Sequence, residues 1–395
     1  METTQHEAQF KSAFKGWKII LALAIGLGFT GWTLFNALHK KEYLEVTANG
    51  THQWIDGNHN KKIDKNLSVD FKPSQHGTYI EKQLGDVLLE IKWTGTSLFW
   101  VIMAMLCMVG RDLGYMIRIR ILTKNELTWK GSFYTIMLWE FASAISPGVV
   151  GGAAVAMFIL NKEKIALGRS TAIVVITALL DNIFYVLLIP IVFIALKGQG
   201  LFPANSALNM SVEYAFWIGY SIMALICLVL FLSIFKFPRL LSSLLRGLFS
   251  LPFLRKWKES AVKTGLEIET TSKEFQQEPK TIWLKAFGAT LLSWTSRFLV
   301  INCIMQAFIH LGWYKHLLIL GKQLVLWLFL IISPTPGASG IAEYAFSELL
   351  SDIGVSALLI AALAILWRLI SYFPYLFIGA LLLPRWFKQH SAPEK

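Results

Sequence analysis

Five ionisable side chains lie where hydrocarbon would surround them. Glu140, Asp181, Arg297, Glu343 and Arg368 each sit well inside a long apolar run. A charge at the centre of a membrane helix costs about 2.5–3.5 kcal/mol on insertion scales, so binding or pairing is the reason to keep one. Asp181 shares a helical face with Thr177 and Tyr185, Arg368 with Tyr372 and Tyr375, and Arg297 with Ser293. Such stripes face a bundle interior. Their arginines suit a phosphate, and their carboxylates suit a cationic group or a proton in transit. The simpler reading is that the charges pair, Arg368 with Glu343 for example, and pin helices together. Lys322, five residues into its segment, is expected to snorkel outward. Arg111 and Asp112 are expected to anchor a cytoplasmic interface, and Glu348 lies near the outer end of its segment.

Two matching phrases interrupt the apolar runs. ISPGVVGGAAVA runs from Ile145 to Ala156, and ISPTPGASGIAE from Ile332 to Glu343. Pro147, Gly148 and Gly151 align with Pro336, Gly337 and Gly340, and Gly152 follows in the first phrase. Proline removes a backbone donor and glycine permits a sharp turn, so both phrases break a helix. Broken backbone at membrane depth is tolerated only where protein buries it or a wet cavity faces it. The half-helix after each break would present its N–H groups to an anion. Glu140 precedes Pro147 by seven residues, and Glu343 follows Pro336 by seven. Two kinked helices with glycine used for packing are the simpler alternative.

The elements that must carry these residues follow from composition. The chain has 395 residues, of which 55% are hydrophobic and 16% charged. Its mean hydropathy is +0.52. Runs of about 20 apolar residues recur, the length that spans hydrocarbon. They fall near 18–38, 97–117, 131–160, 169–196, 214–235, 284–310, 317–350 and 355–383. An all-α polytopic membrane protein is therefore expected, beginning with an uncleaved helix. The net charge of +12 sits in loops, where it reports topology and contact with anionic lipid rather than nucleic acid.

The positive-inside rule sets the crossings. Basic loops 118–130, 161–169 and 236–285 and the tail after 383 all fall inside only if 131–160 and 317–350 are hairpins that return to their own side. The two then form inverted repeats, an architecture of secondary transporters. The regions expected are a cytoplasmic terminus and first helix (1–38), a polar outer loop (39–96), a first repeat (97–235), a basic amphipathic connection (236–285), and a second repeat with a cytoplasmic tail (286–395). A two-crossing arrangement with 39–96 inside is the alternative.

Other signals carry little. Asp56, Asn58, Asn60 and Asp64 resemble the start of a calcium loop, but Lys61 and Leu67 stand where glycine and glutamate belong. Cys107, Cys227 and Cys303 lie in apolar runs without metal-like spacing. The stretch from Pro238 to Lys258 interleaves apolar and basic residues, as a helix pair on an anionic surface would. No nucleotide loop, nucleophile elbow or zinc motif occurs, so neither enzyme chemistry nor a cofactor is expected.

ISPGVVGGAAVAMF, SPTPGASGIAEYAF and ILWRLISYFPYLFIGALL resemble the transmembrane region of lysylphosphatidylglycerol synthases, the flippase-like proteins that include the multiple peptide resistance factor. The resemblance covers roughly 97–385, and Pro336, Gly337, Gly340, Glu343 and Arg368 carry its pattern. The first hairpin lacks a glutamate expected near Gly152 or Ala153. The resemblance implies a multi-pass protein of the bacterial inner membrane whose bundle moves a phospholipid or lipid-linked headgroup between leaflets, and the charge pattern places both termini in the cytoplasm. Tyr372 joins the implied substrate contacts, and Glu140 is assigned to coupling. Partners implied are the lipid, the anionic surface, a separate lipid synthase and a second copy of the chain. A membrane transferase and a non-transporting partner of a synthase are the other function classes.

The crossing pattern predicts labelling in a chain whose three cysteines are replaced. A cysteine introduced within 39–96 reacts with an impermeant maleimide from outside, and one within 236–285 only after permeabilisation. Protection of the 39–96 cysteine until permeabilisation would favour the two-crossing arrangement instead.

Overall fold

The computed structural model describes residues 41–390 except 62, 66, 147–149, 204, 205, 252–254, 256, 257, 332 and 334, with 24, 28, 31, 32, 35, 38 and 39 in addition. The helix expected over 18–38 thus lies largely outside the described residues. Six described helices are long and apolar enough to cross a membrane. Among the described residues there is no large sheet, and the all-α class stands.

The polar stretch 39–96 has more structure than its composition implies. β1 (Lys41–Trp54) and β2 (Phe71–Gln83) pair antiparallel, with Tyr43 opposite Glu81 and Trp54 opposite Phe71. Tyr43 stacks on Phe71 at 4.1 Å and Tyr79 meets Phe71 edge-on at 5.0 Å, giving the hairpin an aromatic centre. α1 (Leu84–Glu90) follows at once. In the intervening loop, Asp56 accepts from Lys61 N at 3.1 Å, and the Asn58 amide donates to Asp64 at 2.9 Å and Asp70 at 3.1 Å. The side chains that resembled a calcium loop thus hydrogen-bond to one another. Among the described residues, no group of His, Cys, Asp and Glu is placed to hold a metal.

The bundle is formed by α2 (Gly95–Leu122), α3 (Trp129–Ile145), α4 (Val150–Lys162), α5 (Leu167–Ala195), α6 (Ser206–Phe235), α9 (Lys280–Phe308), α10 (Trp313–Ile331), α11 (Ile341–Leu350), α12 (Ala357–Ser371) and α13 (Phe373–His390). Between its halves lie α7 (Arg239–Leu248) and α8 (Lys258–Gln276), which pack on each other. α9 is the most enclosed spanning helix and α6 the least. α2 and α9 touch closely because Gly114 lets Ser293 and Ala289 approach; a Cβ there would stand 2.8 Å from Ser293 N. The apolar run 355–383 forms two helices rather than one. Pro374, at the second position of α13, has no N–H to continue α12's ladder.

Each break reverses the chain. At the first, the start of α3 meets the end of α4: a Cβ on Gly131 would lie 2.9 Å from Glu163 Oε2. At the second, the start of α10 meets the end of α11: Lys315 Nζ donates to Ile353 O at 3.1 Å, and Lys322 pairs with Asp352 at 2.9 Å. The two reversals open at opposite ends of the bundle. One end gathers Glu163 with Trp386 (3.0 Å), Glu126 with Arg169 (2.6 Å), and Lys124 with Glu278. The other gathers Trp93 with Phe308, and Glu42 with the first turn of α12. There both oxygens of the buried Glu42 accept backbone N–H groups, from Ala357 at 3.2 Å and Leu358 at 3.1 Å. A carboxylate at a helix N-terminus satisfies orphan donors and the dipole together. Leu84 of α1 packs beside it on Leu358 and Ala362.

Close packing makes one glycine testable. A side chain at Gly379 of α13 would run into the Phe141 ring of α3, whereas one at Gly288 meets nothing within 4 Å. Gly379→Ala is expected to lose about 1–3 kcal/mol, and Gly288→Ala to gain about 0.5–1 kcal/mol. Thermal unfolding in detergent checks this, and equal shifts would refute the packing.

Candidate functional site: a charged, aromatic interior

Three hydrogen-bonded networks and one half-buried arginine outside them occupy the bundle interior. The first is built on Arg111 of α2. Its Nη2 meets Glu140 Oε1 of α3 at 2.6 Å, and its Nη1 donates to Tyr375 Oη of α13 at 2.6 Å. Asp112 lies 3.1 Å from the same guanidinium and accepts from Tyr375 Oη at 2.8 Å. Arg111 was expected to anchor an interface, but it is only 1% exposed. The reason is helix length: α2 continues to Leu122, placing Arg111 about 16 Å of helical rise from that end.

The second network joins α2, α5 and α9. Arg118 pairs with Asp181 and donates to Thr290 at 3.1 Å, and Trp294 Nε1 donates to Asp181 at 2.7 Å. Arg118 had been assigned to a connecting loop, and only the observed length of α2 brings it inside.

The third network holds the second break. Gly337 and Ala338 have φ of +56° and +55°, and Gly340 has +84°, the backbone reversal that the glycines permit. Arg368 Nη2 donates to Gly337 O and to Ser339 Oγ, each at 3.0 Å. Arg368 Nε lies 2.9 Å from Glu343 Oε1, an ion pair in contact but not aligned as a hydrogen bond. Glu343 Oε2 accepts from Gly340 N at 2.7 Å. Ala338 N and Ser339 N bond to Thr335 O and Pro336 O within the turn. The tip's donors, expected to face an anion, are therefore largely satisfied from within. Arg368 lies 3.8 Å over the Tyr372 ring, which packs against Gly337. Tyr372 Oη donates to Ala144 O at the end of α3. One phenol therefore touches both breaks.

Pro147 and Gly148 lie outside the described residues. Gly151 falls in the first turn of α4, and Gly152 packs against Ser143 of α3. Arg297 differs from the other interior arginines. It lies over Trp327 at 4.3 Å and Trp294 at 5.1 Å. Among the described residues no carboxylate stands within ion-pairing distance of it. Its charge still acts on Asp112, Glu140 and Arg368. The networks thus bring Glu140, Asp181, Arg297, Glu343, Arg368 and Tyr372 into one neighbourhood. Sequence reasoning missed Arg118, Trp294 and Trp327, and it placed Tyr375 on the stripe of Arg368 without its partner Arg111. Lys322 also departs from expectation: it is 1% exposed and paired with Asp352 instead of snorkelling outward.

A multi-pass helical membrane protein with a polar, ion-paired interior is the class this arrangement defines. The chain belongs to the lysylphosphatidylglycerol synthase transmembrane-region family, which matches residues 85–379. It is also 27% identical over 315 residues to a UPF0104 membrane protein of Archaeoglobus fulgidus, covering 73% of this chain and 90% of that one. No solved structure matches. The β-hairpin lies outside the matched region.

The buried pair yields a prediction. Glu343→Gln strands a buried guanidinium and is expected to cost about 3–5 kcal/mol. Pairing Glu343→Gln with Arg368→Met removes both charges and is expected to recover more than half of that loss. A double-mutant cycle on thermal unfolding measures it, and strictly additive losses would show that the two charges do not interact.

Proposed function

We propose that this protein moves a phospholipid or lipid-linked headgroup between the leaflets of the bacterial inner membrane, without covalent chemistry. The observation that carries this reading is the meeting of two chain breaks at Tyr372, from helix pairs that open at opposite ends of the bundle. α3, α4 and α11 have 17, 13 and 10 residues. That is about 26, 20 and 15 Å of rise, short of a ~30 Å hydrocarbon layer. We read both helix pairs as re-entrant and as inverted repeats, which supports rocking of one repeat against the other around a central site.

The end that gathers the basic segments 118–130, 161–169 and 236–285 is then cytoplasmic, with both chain termini. The β-hairpin end is outside. α7, with Arg239 and Arg246 beside exposed Leu244 and Leu248, lies on the anionic cytoplasmic surface. Translocation would act on a lipid supplied by a separate synthase. Membership of the lysylphosphatidylglycerol synthase transmembrane-region family supports this substrate class.

Reconstitution into liposomes with fluorescent phospholipids tests the proposal. Quenching from outside is expected to exceed the half-labelled plateau of protein-free vesicles. The Glu343→Gln/Arg368→Met chain is expected to flip at least about tenfold more slowly, the scale of a lost charged contact of about 1.4 kcal/mol or more. An unchanged plateau for the folded wild type across lipid classes would sink the reading. Radiolabel transfer into lipid would replace it with an enzyme, and copurification with a synthase but no flipping would replace it with a scaffold.

A further inference from the structure

We infer that Arg297 and Tyr185 form the subsite for the phosphodiester oxyanion of the lipid headgroup, in place of the helix terminus at the second break. The inference rests on the lipid-binding reading above and names the residues that recognise the lipid.

Charge pairing is the first observation. Arg111, Arg118, Arg297 and Arg368 face Asp112, Glu140, Asp181 and Glu343 in the interior. The numbers balance but the pairing does not. Arg111 holds two carboxylates, and Arg118 and Arg368 hold one each. Arg297 holds none among the described residues and rests on the faces of Trp327 and Trp294. An indole face steadies a guanidinium through its π-cloud but leaves the N–H edges uncommitted. Those edges form the planar fork that a phosphate accepts in bidentate fashion.

Tyr185 is the second, independent observation. Its side chain is only 3% exposed, and its hydroxyl is buried without a hydrogen-bond partner. A buried hydroxyl left unpaired costs about 1–3 kcal/mol, so such a group calls for an explanation. The Tyr185 ring stacks on Trp327 at 6.0 Å and meets Trp294 edge-on at 5.0 Å, the same two indoles that carry Arg297. Its hydroxyl is within electrostatic reach of Arg297 and Asp181. No hydrogen bond joins it to Asp181, whose oxygens accept from Arg118 and Trp294 Nε1. An oxyanion bound at Arg297 would give the hydroxyl its acceptor and the guanidinium its counter-charge.

The alternatives at the second break are occupied. Arg368 is committed to Gly337 O, Ser339 and Glu343. Gly340 N is committed to Glu343. The Arg297 fork and the Tyr185 hydroxyl, which share the indoles of Trp294 and Trp327, are interior polar groups that a headgroup can engage without displacing a protein partner.

Binding to the full-length protein in detergent, followed by native mass spectrometry, tests this without requiring translocation. The probes are phosphatidylglycerol, a diacylglycerol lacking the phosphate, and inorganic phosphate as competitor. Wild type is expected to retain phosphatidylglycerol over diacylglycerol. Arg297→Gln should weaken that retention at least about tenfold. Tyr185→Phe should weaken it about fivefold while leaving Tm unchanged or raised, because it removes an unsatisfied hydroxyl. A structural role for Tyr185 would lower Tm and leave binding alone, which overturns the assignment. Retention equal to wild type in both variants overturns it as well. Displacement by inorganic phosphate at the same concentration as the lipid would assign the site to free phosphate and overturn the headgroup reading. Arg297-dependent binding without flipping would leave the subsite standing and remove the translocation proposal.

Discussion

A guanidinium cannot be left bare in hydrocarbon, and four arginines in the interior of this bundle decide where much of the rest must go. Arg111 draws in α3 through Glu140 and α13 through Tyr375. Arg118 draws in α5 through Asp181 and α9 through Thr290. Arg368 fixes the tip between α10 and α11. Apolar side chains supply area but little direction, since lipid tails are as greasy as leucine. Directional charge contacts therefore define which helices are neighbours, and small residues such as Gly114 and Gly379 let those neighbours close.

Glycine and proline do the complementary work of stopping helices. Helices short of the hydrocarbon thickness become useful when their ends are covered by protein. At the second break the cover is Arg368, Tyr372 and Glu343, all within hydrogen-bonding or van der Waals distance of the turn. At the start of α12 the cover comes from outside the family's matched region, through Glu42 of β1. The added hairpin is therefore joined to the helix that carries Arg368, and not merely tethered beside the bundle.

The described spanning helices and the position of both breaks were legible in the sequence, because apolar runs and Pro-Gly phrases are local signals. The Glu343–Arg368 pair was legible as an alternative, since two opposite charges in one membrane have few other partners. Depth was not legible. The end of α2 at Leu122 depends on Thr123, whose hydroxyl bonds back to Ile119 O, and on the turn after it. Moving that end by five residues turns Arg111 from an anchor into a buried hub. Lys322 was misplaced for a related reason: its acceptor, Asp352, is thirty residues away and is delivered by the chain reversal. The β-hairpin was hidden because its charged strands lack a clean apolar alternation and register through bulges.

Tyr372 has a kinetic meaning beyond its contacts. Its ring packs on one break while its hydroxyl holds the carbonyl that precedes the other. Two gates with separate latches would open independently, and both could stand open together, leaving a continuous leak. With a shared latch, motion at one break would disturb the contact that steadies the other, so the two openings would be statistically dependent. On the proposed carrier reading, that dependence would keep ions from following the cargo, and Tyr372 is the residue in contact with both breaks.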